Sequence, residues 1–250
     1  MSKRALKSEE YLNVTYSETR TPKSNYPLLL AGLIYSKYCK FKAKRPHIFL
    51  GSQRVLDIGC GRGDFLEAFS QVDKKVKVSG VDISPAAFEA SRGLDVEVLD
   101  LEKGIPGRMV EKYHLAFSKS VIEHMHDPMT LVRCAFECLK VDGMVVIMTP
   151  SWLHNYKHAF YVDHTHVSPF TKLSLSDIMK IAGFKDVEVE YFIQLPCVWN
   201  NPFLRLFSKV VSCLPIPYAP LYDVPWGVSN PFNKFVRFSK EVMLLGVGRK

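Results

Sequence analysis

The sequence predicts an α/β fold built on a doubly wound, largely parallel sheet. Three observations carry this. From about residue 53, short apolar runs alternate with helical stretches, the pattern of repeated strand–helix crossovers. The run Met144–Thr149 is apolar throughout, as expected of a strand covered on both faces. A glycine-rich turn, Gly59-Cys-Gly-Arg-Gly63, follows the first apolar run and leads into a helix.

The elements follow in order. Arg54–Ile58 is the first strand, and Asp64–Val72 reads as a helix with Phe65, Leu66, Ala68 and Phe69 apolar. Val76–Val81 is the second strand. Ser84-Pro85 then opens a helix, Ser as N-cap and Pro in the first turn. Val96–Leu99 and Tyr113–Ser118 are the third and fourth strands. Asp127-Pro128 starts a helix that runs to about Lys140, with Leu131, Val132, Ala135 and Leu139 on one face, and Asp142-Gly143 stops it. The fifth strand is Met144–Thr149. Leu173–Ala182 is a helix ended by Gly183, Phe184–Phe192 alternates like a strand, and Val242–Val247 is the last strand.

Two parts fall outside this core. Residues 1–50 form a basic N-terminal segment that contains a helix over Pro27–Phe41, and a substrate-capping role is expected for it. Residues 193–238 separate the last two strands. There Trp199, Phe203, Leu204, Phe207, Val210 and Val211 fall near helical spacing, and the plain expectation for such a stripe is packing onto the sheet. An insertion this long between two strands is usually functional.

Composition narrows the class. The chain has 250 residues, 47% hydrophobic and 23% charged, enough to bury a core and unlike a disordered chain. No apolar run approaches the ~20 residues that span a bilayer, and the N-terminus lacks the apolar centre of a signal peptide, so a cytoplasmic location is expected. Six cysteines without CxxC spacing read as free thiols. The net charge of +8 sits entirely within residues 1–54, which hold 11 Lys/Arg against 3 Asp/Glu. That excess suits an anionic partner: a phosphorylated substrate, a membrane surface or nucleic acid.

The glycine turn has a physical logic. Gly59, Gly61 and Gly63 let the backbone bend sharply and approach a ligand. The helix that follows offers amides to the negative end of that ligand. Ligands of open parallel sheets bind at the carboxyl ends of the strands, where this loop lies. Asp82 ends the second strand, and an acidic side chain there can accept both hydroxyls of a ribose. Asp100, after the third strand, can accept from an adenine amino group. Asp57, just before the glycines, can face an ammonium.

Together these motifs resemble class I S-adenosylmethionine (SAM)-dependent methyltransferases. The resemblance rests on Leu56-Asp-Ile-Gly-Cys-Gly-Arg-Gly63, Gly80-Val-Asp-Ile-Ser84, Ser118-Lys-Ser-Val-Ile-Glu-His-Met-His-Asp-Pro128, Leu139-Lys-Val-Asp-Gly143 and Met148-Thr-Pro150. It covers about 53–192 and resumes at 240–250. It implies a Rossmann-like sheet of seven strands whose antiparallel last strand forms a hairpin with the sixth, here split by the insertion. It implies SAM as cofactor, held by Asp57, Gly59, Cys60, Gly61, Gly63, Asp82, Ile83, Asp100, Leu101 and Ser118.

Methyl transfer from a sulfonium needs alignment and, for a hydroxyl acceptor, a proton acceptor. Histidine suits that role near neutral pH. His124 follows the fourth strand, and His164 and His166 follow the fifth, so Glu123, His124, Asp163, His164 and His166 are expected to converge above the cofactor. His126 lies in the same region. Glu123-His124 with the distant Asp163-His164 also resembles the metal-binding pattern of small-RNA 2′-O-methyltransferases. Ubiquinone-pathway O-methyltransferases share a Glu-x-x-Glu-His form of its first half. Here Ser120 replaces the first acid, and losing a carboxylate weakens a divalent site. No metal is expected; Glu123, His124 and His164 are the ligands one would use.

The acceptor expectation rests on Asp163-His-Thr-His-Val-Ser-Pro-Phe-Thr171, which resembles methyltransferases of polysaccharide or glycolipid biosynthesis. It implies a sugar hydroxyl on a glycan, nucleotide sugar or lipid-linked saccharide, with peripheral membrane contact a corollary of the last. The rivals are an RNA 2′-O-methyltransferase, a small-metabolite (quinone-type) O-methyltransferase and a SAM-binding protein without catalysis.

Overall fold

A computed structural model describes residues 23–44, 52–91, 93–157, 160–219 and 230–250. Seven strands form one sheet: β1 (Arg54–Ile58), β2 (Lys77–Asp82), β3 (Val96–Val98), β4 (Tyr113–Lys119), β5 (Leu139–Pro150), β6 (Lys185–Phe192) and β7 (Met243–Arg249). Their order is β3-β2-β1-β4-β5-β7-β6. The first five are parallel; β7 runs antiparallel to both β5 and β6. The expected Rossmann-like sheet with an antiparallel last strand is therefore present.

Helices cover both faces. On one side lie α1 (Tyr26–Ala43) and α2 (Asp64–Val72); on the other, α4 (Pro128–Cys138) and α6 (Lys172–Ile181). The short α3 (Pro85–Ala90) follows β2, and α5 (Trp152–Asn155) follows β5. Caps fix the entries. Ser84 accepts from the Ala86 amide, Asp127 from the Met129 amide, and Thr171 and Ser174 form a reciprocal capping box, each satisfying an amide that a helix start leaves bare.

The core has two layers, one per sheet face. Leu56, Ile58, Val145, Ile147 and Leu244 point towards α4 and α6. Val55, Leu115, Phe117, Val146 and Leu245 point towards α1 and α2. This is the period-two alternation of a strand buried on both sides. The edges are blunted. β3 is three residues long, and β6 exposes Lys185, Glu188 and Glu190, which discourages pairing with another chain.

Three expectations change. The helix read to Lys140 ends at Cys138, and β5 begins at once at Leu139 instead of Met144. Leu139 is already extended (ψ 142) and pairs with Tyr113, while Asp142 at φ 60 carries a bulge before Met144 pairs with Leu115. The helix read over Pro27–Phe41 spans Tyr26–Ala43 and belongs to the core: Leu30, Ala31, Ile34 and Tyr38 are fully buried against the sheet and α2. That part of the 1–50 segment is therefore packed into the core, and residues 1–22 and 45–51 lie outside the described residues. The 193–238 insertion holds α7 (Pro196–Trp199), α8 (Pro202–Cys213) and the first part of α9 (Pro231–Lys240). Trp199 packs inward against Phe192 and Tyr26, but Phe203 and Phe207 face solvent instead of packing onto the sheet.

Candidate active site

The glycine loop joins the end of β1 to α2. Gly59, Gly61 and Gly63 all have positive φ (78, 52 and 80°), a region costly for residues with a Cβ. At Gly59 space adds to this, since a Cβ would lie 2.2 Å from Cγ2 of Val121. Gly80 on β2 is also required, because a Cβ there would lie 2.7 Å from Sγ of Cys60. At Gly61 a Cβ would meet nothing within 4 Å, so this glycine borders open space.

Asp82 ties the loop to the next crossover. Its Oδ2 accepts from the Gly61 amide at 2.9 Å and its Oδ1 from the Ser84 amide at 2.9 Å. Burial raises its pKa, and these amides oppose the rise. The carboxylate is therefore oriented between the ends of β1 and β2, with lone pairs left for hydroxyl donors. Asp57 is buried beneath the loop. Burial, then the charges of Asp82 and Asp64, push its carboxyl up to about 8, and its Oδ2 has no hydrogen-bond partner among the described residues. A buried orphaned carboxylate oxygen fits a cation such as a ligand ammonium, reached directly or through the loop.

The remaining predicted cofactor residues divide. Asp100 is partly exposed, and its Oδ1 caps a short turn by accepting from the Glu102 amide at 3.1 Å. Ile83 and Leu101 are partly buried. Cys60 does not offer its side chain: the thiol is buried with Leu66 and Val96, and the amide is bonded to the Val81 carbonyl. Burial pushes that thiol's pKa well up. Ser118 is also committed, its buried hydroxyl donating to the Ile58 carbonyl at 3.0 Å. Both shape the loop from below instead of lining it.

A second group gathers beyond the ends of β4 and β5. Glu123 and His124 sit in a single helical turn, Ile122–His124. The Glu123 side chain is fully buried, with Oε2 accepting from Thr149 Oγ1 at 2.9 Å. Its carbonyl accepts from the amides of Val167 and Ser168, which pulls the His-rich loop onto the turn. Burial raises its carboxyl to about 7, outweighing the Thr149 bond and the Lys119 charge. Its Oε1 is unpartnered among the described residues and lies 4.0 Å from Nε2 of His166, too long for a hydrogen bond. His166 holds the Phe160 carbonyl through Nδ1 at 2.6 Å, so Nδ1 carries the proton in the neutral ring and Nε2 faces Glu123.

His124 lies edge-on to His166, with ring centroids 4.6 Å apart. Its Nδ1 meets Thr165 Oγ1 at 2.8 Å, and Thr165 Oγ1 donates to Asp163 Oδ1 at 2.6 Å. Burial, then the His166 charge, lowers His124 to about 4, so the ring is neutral at physiological pH. Of the five predicted catalytic residues, Glu123, His124, Asp163 and His166 are thus linked through short contacts. His164 is not; its side chain is exposed, as is that of His126.

This changes the metal geometry. Glu123, His124 and His166 each offer a ligand atom, all within 4.8 Å of one another. The set expected from sequence, Glu123, His124 and His164, is not the set that converges. The loop puts His166 inward because its Nδ1 anchors to Phe160, and leaves His164 on the surface.

Sequence reasoning missed Thr149, Thr165 and Lys119. Thr149 was visible only as part of the Met148-Thr-Pro150 motif. Thr165 was hidden between two more conspicuous histidines. Lys119 is partly buried next to the site, and its pKa is lowered by desolvation against the opposing pull of Glu123.

A Rossmann-like sheet with this loop, this acid after β2 and this rim cluster has the fold of SAM-dependent methyltransferases. Residues 31–189 match the methyltransferase domain family, and the chain belongs to that family. It is 28% identical over 109 residues to a ubiquinone biosynthesis O-methyltransferase of Pseudomonas entomophila (strain L48), covering 41% of this chain and 46% of the relative. The Idiomarina loihiensis relative of the same name is 25% identical over 186 residues, covering 58% of this chain and 75% of the relative. The chain spans about half the length of most of these curated relatives. Among solved structures, a SAM-dependent methyltransferase from Archaeoglobus fulgidus superposes with a TM-score of 0.55 at 22% identity, covering 86% of this chain and 94% of that one. A Haemonchus contortus phosphoethanolamine N-methyltransferase bound to S-adenosylhomocysteine gives 0.60 at 17%, covering 97% and 59%. These structures share the fold. The relatives carry quinone-pathway names, and none of them supports the expected glycan acceptor.

Proposed function

We propose that this chain transfers the methyl group of SAM to a hydroxyl oxygen of a small acceptor. The observation that carries the reading is the Glu123 carboxyl: buried, raised to about 7 and unpartnered at Oε1, at the strand ends beyond the glycine loop. A group held near neutrality at the reaction rim is suited to take a proton.

The cofactor, when bound, supplies a methyl carbon already activated by the sulfonium. The rest falls to the chain. Asp82 would accept the ribose hydroxyls, and the orphaned Asp57 oxygen would face the ammonium, directly or through the loop. With the cofactor bound, the acceptor hydroxyl would take the methyl group and its proton would pass to Glu123 or to neutral His124. Asp163 holds Thr165, and Thr165 holds the Nδ1 of His124, which leaves Nε2 as the basic nitrogen.

The quinone-pathway names of the relatives support a ring-borne hydroxyl as acceptor. The half-buried Trp152, packed on Phe160 and Tyr161, gives an aromatic wall after β5 that suits a flat acceptor. The test is a methyl-transfer assay with SAM over dihydroxylated aromatic acids, nucleotide sugars and RNA, each with and without chelator. Turnover of the aromatic acceptors is the expected result. Turnover of sugars or RNA alone would replace the acceptor, and absence of turnover with all classes despite SAM binding would reject catalysis.

A further inference from the structure

The insertion between β6 and β7 carries an apolar surface that the catalytic reading does not use. In α8, Phe203 is 83% exposed, Leu206 62%, Phe207 55% and Val210 50%, and Phe232 at the start of α9 is 67% exposed. On a helix of 3.6 residues per turn, 203, 206, 207, 210 and the exposed Leu214 fall on one stripe. The face turned inward buries Ser208 and Val211, and the Ser208 hydroxyl meets the Ser239 hydroxyl of α9 at 2.7 Å. Among the described residues, the ring that Phe207 meets is that of Phe235, 5.6 Å away. An amphipathic helix that buries serine and presents phenylalanine outward is the reverse of a core-facing helix. Contiguous exposed apolar surface of this kind marks an interaction face.

Charge decides what covers it. Arg205, Lys209 and Lys234 are exposed cations of these helices, whereas Arg237 is paired with Glu241 at 2.6 Å and Lys240 donates to the Leu214 carbonyl. Arg205 and Lys209 lie one turn apart along one flank of the apolar stripe. A second copy would set these like charges against each other. An anionic lipid surface accepts the apolar stripe into its acyl boundary and the flanking cations at its headgroups.

Topology gives the face a use. Phe192 and Pro150 both pair with Met243, so the insertion leaves and rejoins the sheet at the edge where β5 ends and the candidate active site lies. We infer that α8 and the start of α9 form a docking surface for anionic lipid bilayers, holding the catalytic rim against the membrane. Resting on the proposed methyl transfer, this points to an acceptor carried in the bilayer.

The test uses the full chain in co-sedimentation with vesicles of phosphatidylcholine alone and of phosphatidylcholine mixed with phosphatidylglycerol. Binding to the anionic vesicles is expected, and F203D/F207D should weaken it about tenfold or more. R205E/K209E should weaken it less and remove its salt dependence. Both variants change exposed side chains, so unchanged thermal unfolding, SAM affinity and turnover of a water-soluble acceptor are expected. Equal partitioning of wild type and F203D/F207D, or no binding to anionic vesicles, overturns the inference. A concentration-dependent dimer that F203D/F207D dissociates assigns the face to a second copy and also overturns it. Failure of turnover on the soluble acceptor would reject the methyl-transfer reading while leaving the vesicle result standing.

Discussion

Asp57, Asp82 and Glu123 are three carboxylates with different work, and each makes a prediction. Asp82 is aimed by two loop amides. Asp82→Ala should weaken SAM binding by about 2–3 kcal/mol, the scale of hydrogen bonds to a charged group, as read by calorimetry; unchanged affinity would reject the site. Asp57 is raised from 3.8 to about 8, chiefly by burial. A folded-state pKa above the unfolded value favours the fold below pH 4, and that contribution is lost as pH rises through 8. Asp57→Asn removes the loss. The ligand-free variant should be more stable than wild type at pH 8, by on the order of 2 kcal/mol, and should gain less melting temperature from SAM. Glu123, raised to about 7 by burial, is protonated below that pH. If it takes the acceptor proton, turnover rises with pH through about 7, and Glu123→Gln should flatten that limb. His164→Ala, at an exposed side chain, should leave turnover unaltered, whereas His124→Ala should lower it more than it lowers SAM affinity.

At the scale of elements, the turn after β4 is the most constrained piece. Ser120 stands at φ 58, where a side chain is uncommon. Its amide is held by the Met148 carbonyl at 2.9 Å, and the next residue, Val121, fills the space above Gly59. The glycine loop and the turn after β4 are therefore packed on each other. Gly59→Ala combines a positive φ with a close contact to Val121, and should destabilise the protein by about 2–4 kcal/mol, seen in chemical denaturation. Gly61→Ala meets open space, so its cost is the backbone alone, about 1–2 kcal/mol, with a larger effect on ligand binding. Elsewhere the sequence was a good guide to elements. β1, α2 and α6 fall within a residue of their expected bounds, because a cap, a glycine or a change of period marks each end. The α4–β5 junction was less legible, since no residue of the chain separates helix from strand.

At the scale of the molecule, the parallel sheet gathers the loops after β1, β2, β4 and β5 on one edge, and the antiparallel β7 returns the insertion to the same edge. Among the described residues no helix is long and apolar enough to cross a membrane; the proposed bilayer contact is a surface one, through the exposed stripe of α8. The N-terminal cations form a net charge in sequence, yet Lys37 is paired with Glu190 at 2.9 Å and α1 is packed into the core. Charge alone did not reveal that role.

The sequence by itself determined the sheet, its glycine loop and the acids at the ends of β1, β2 and β3, because these rest on local rules: period, caps, φ > 0 and strand ends. Only the tertiary structure decided which histidine joins Glu123. His164 and His166 are two residues apart in the same motif, and the choice falls to one hydrogen bond, from the His166 ring to the Phe160 carbonyl. Only the tertiary structure, too, showed that Cys60 and Ser118 support the loop from below and that Phe203 and Phe207 face outward. Helical spacing places residues on a common face, but which face meets the protein depends on what the rest of the chain has left uncovered.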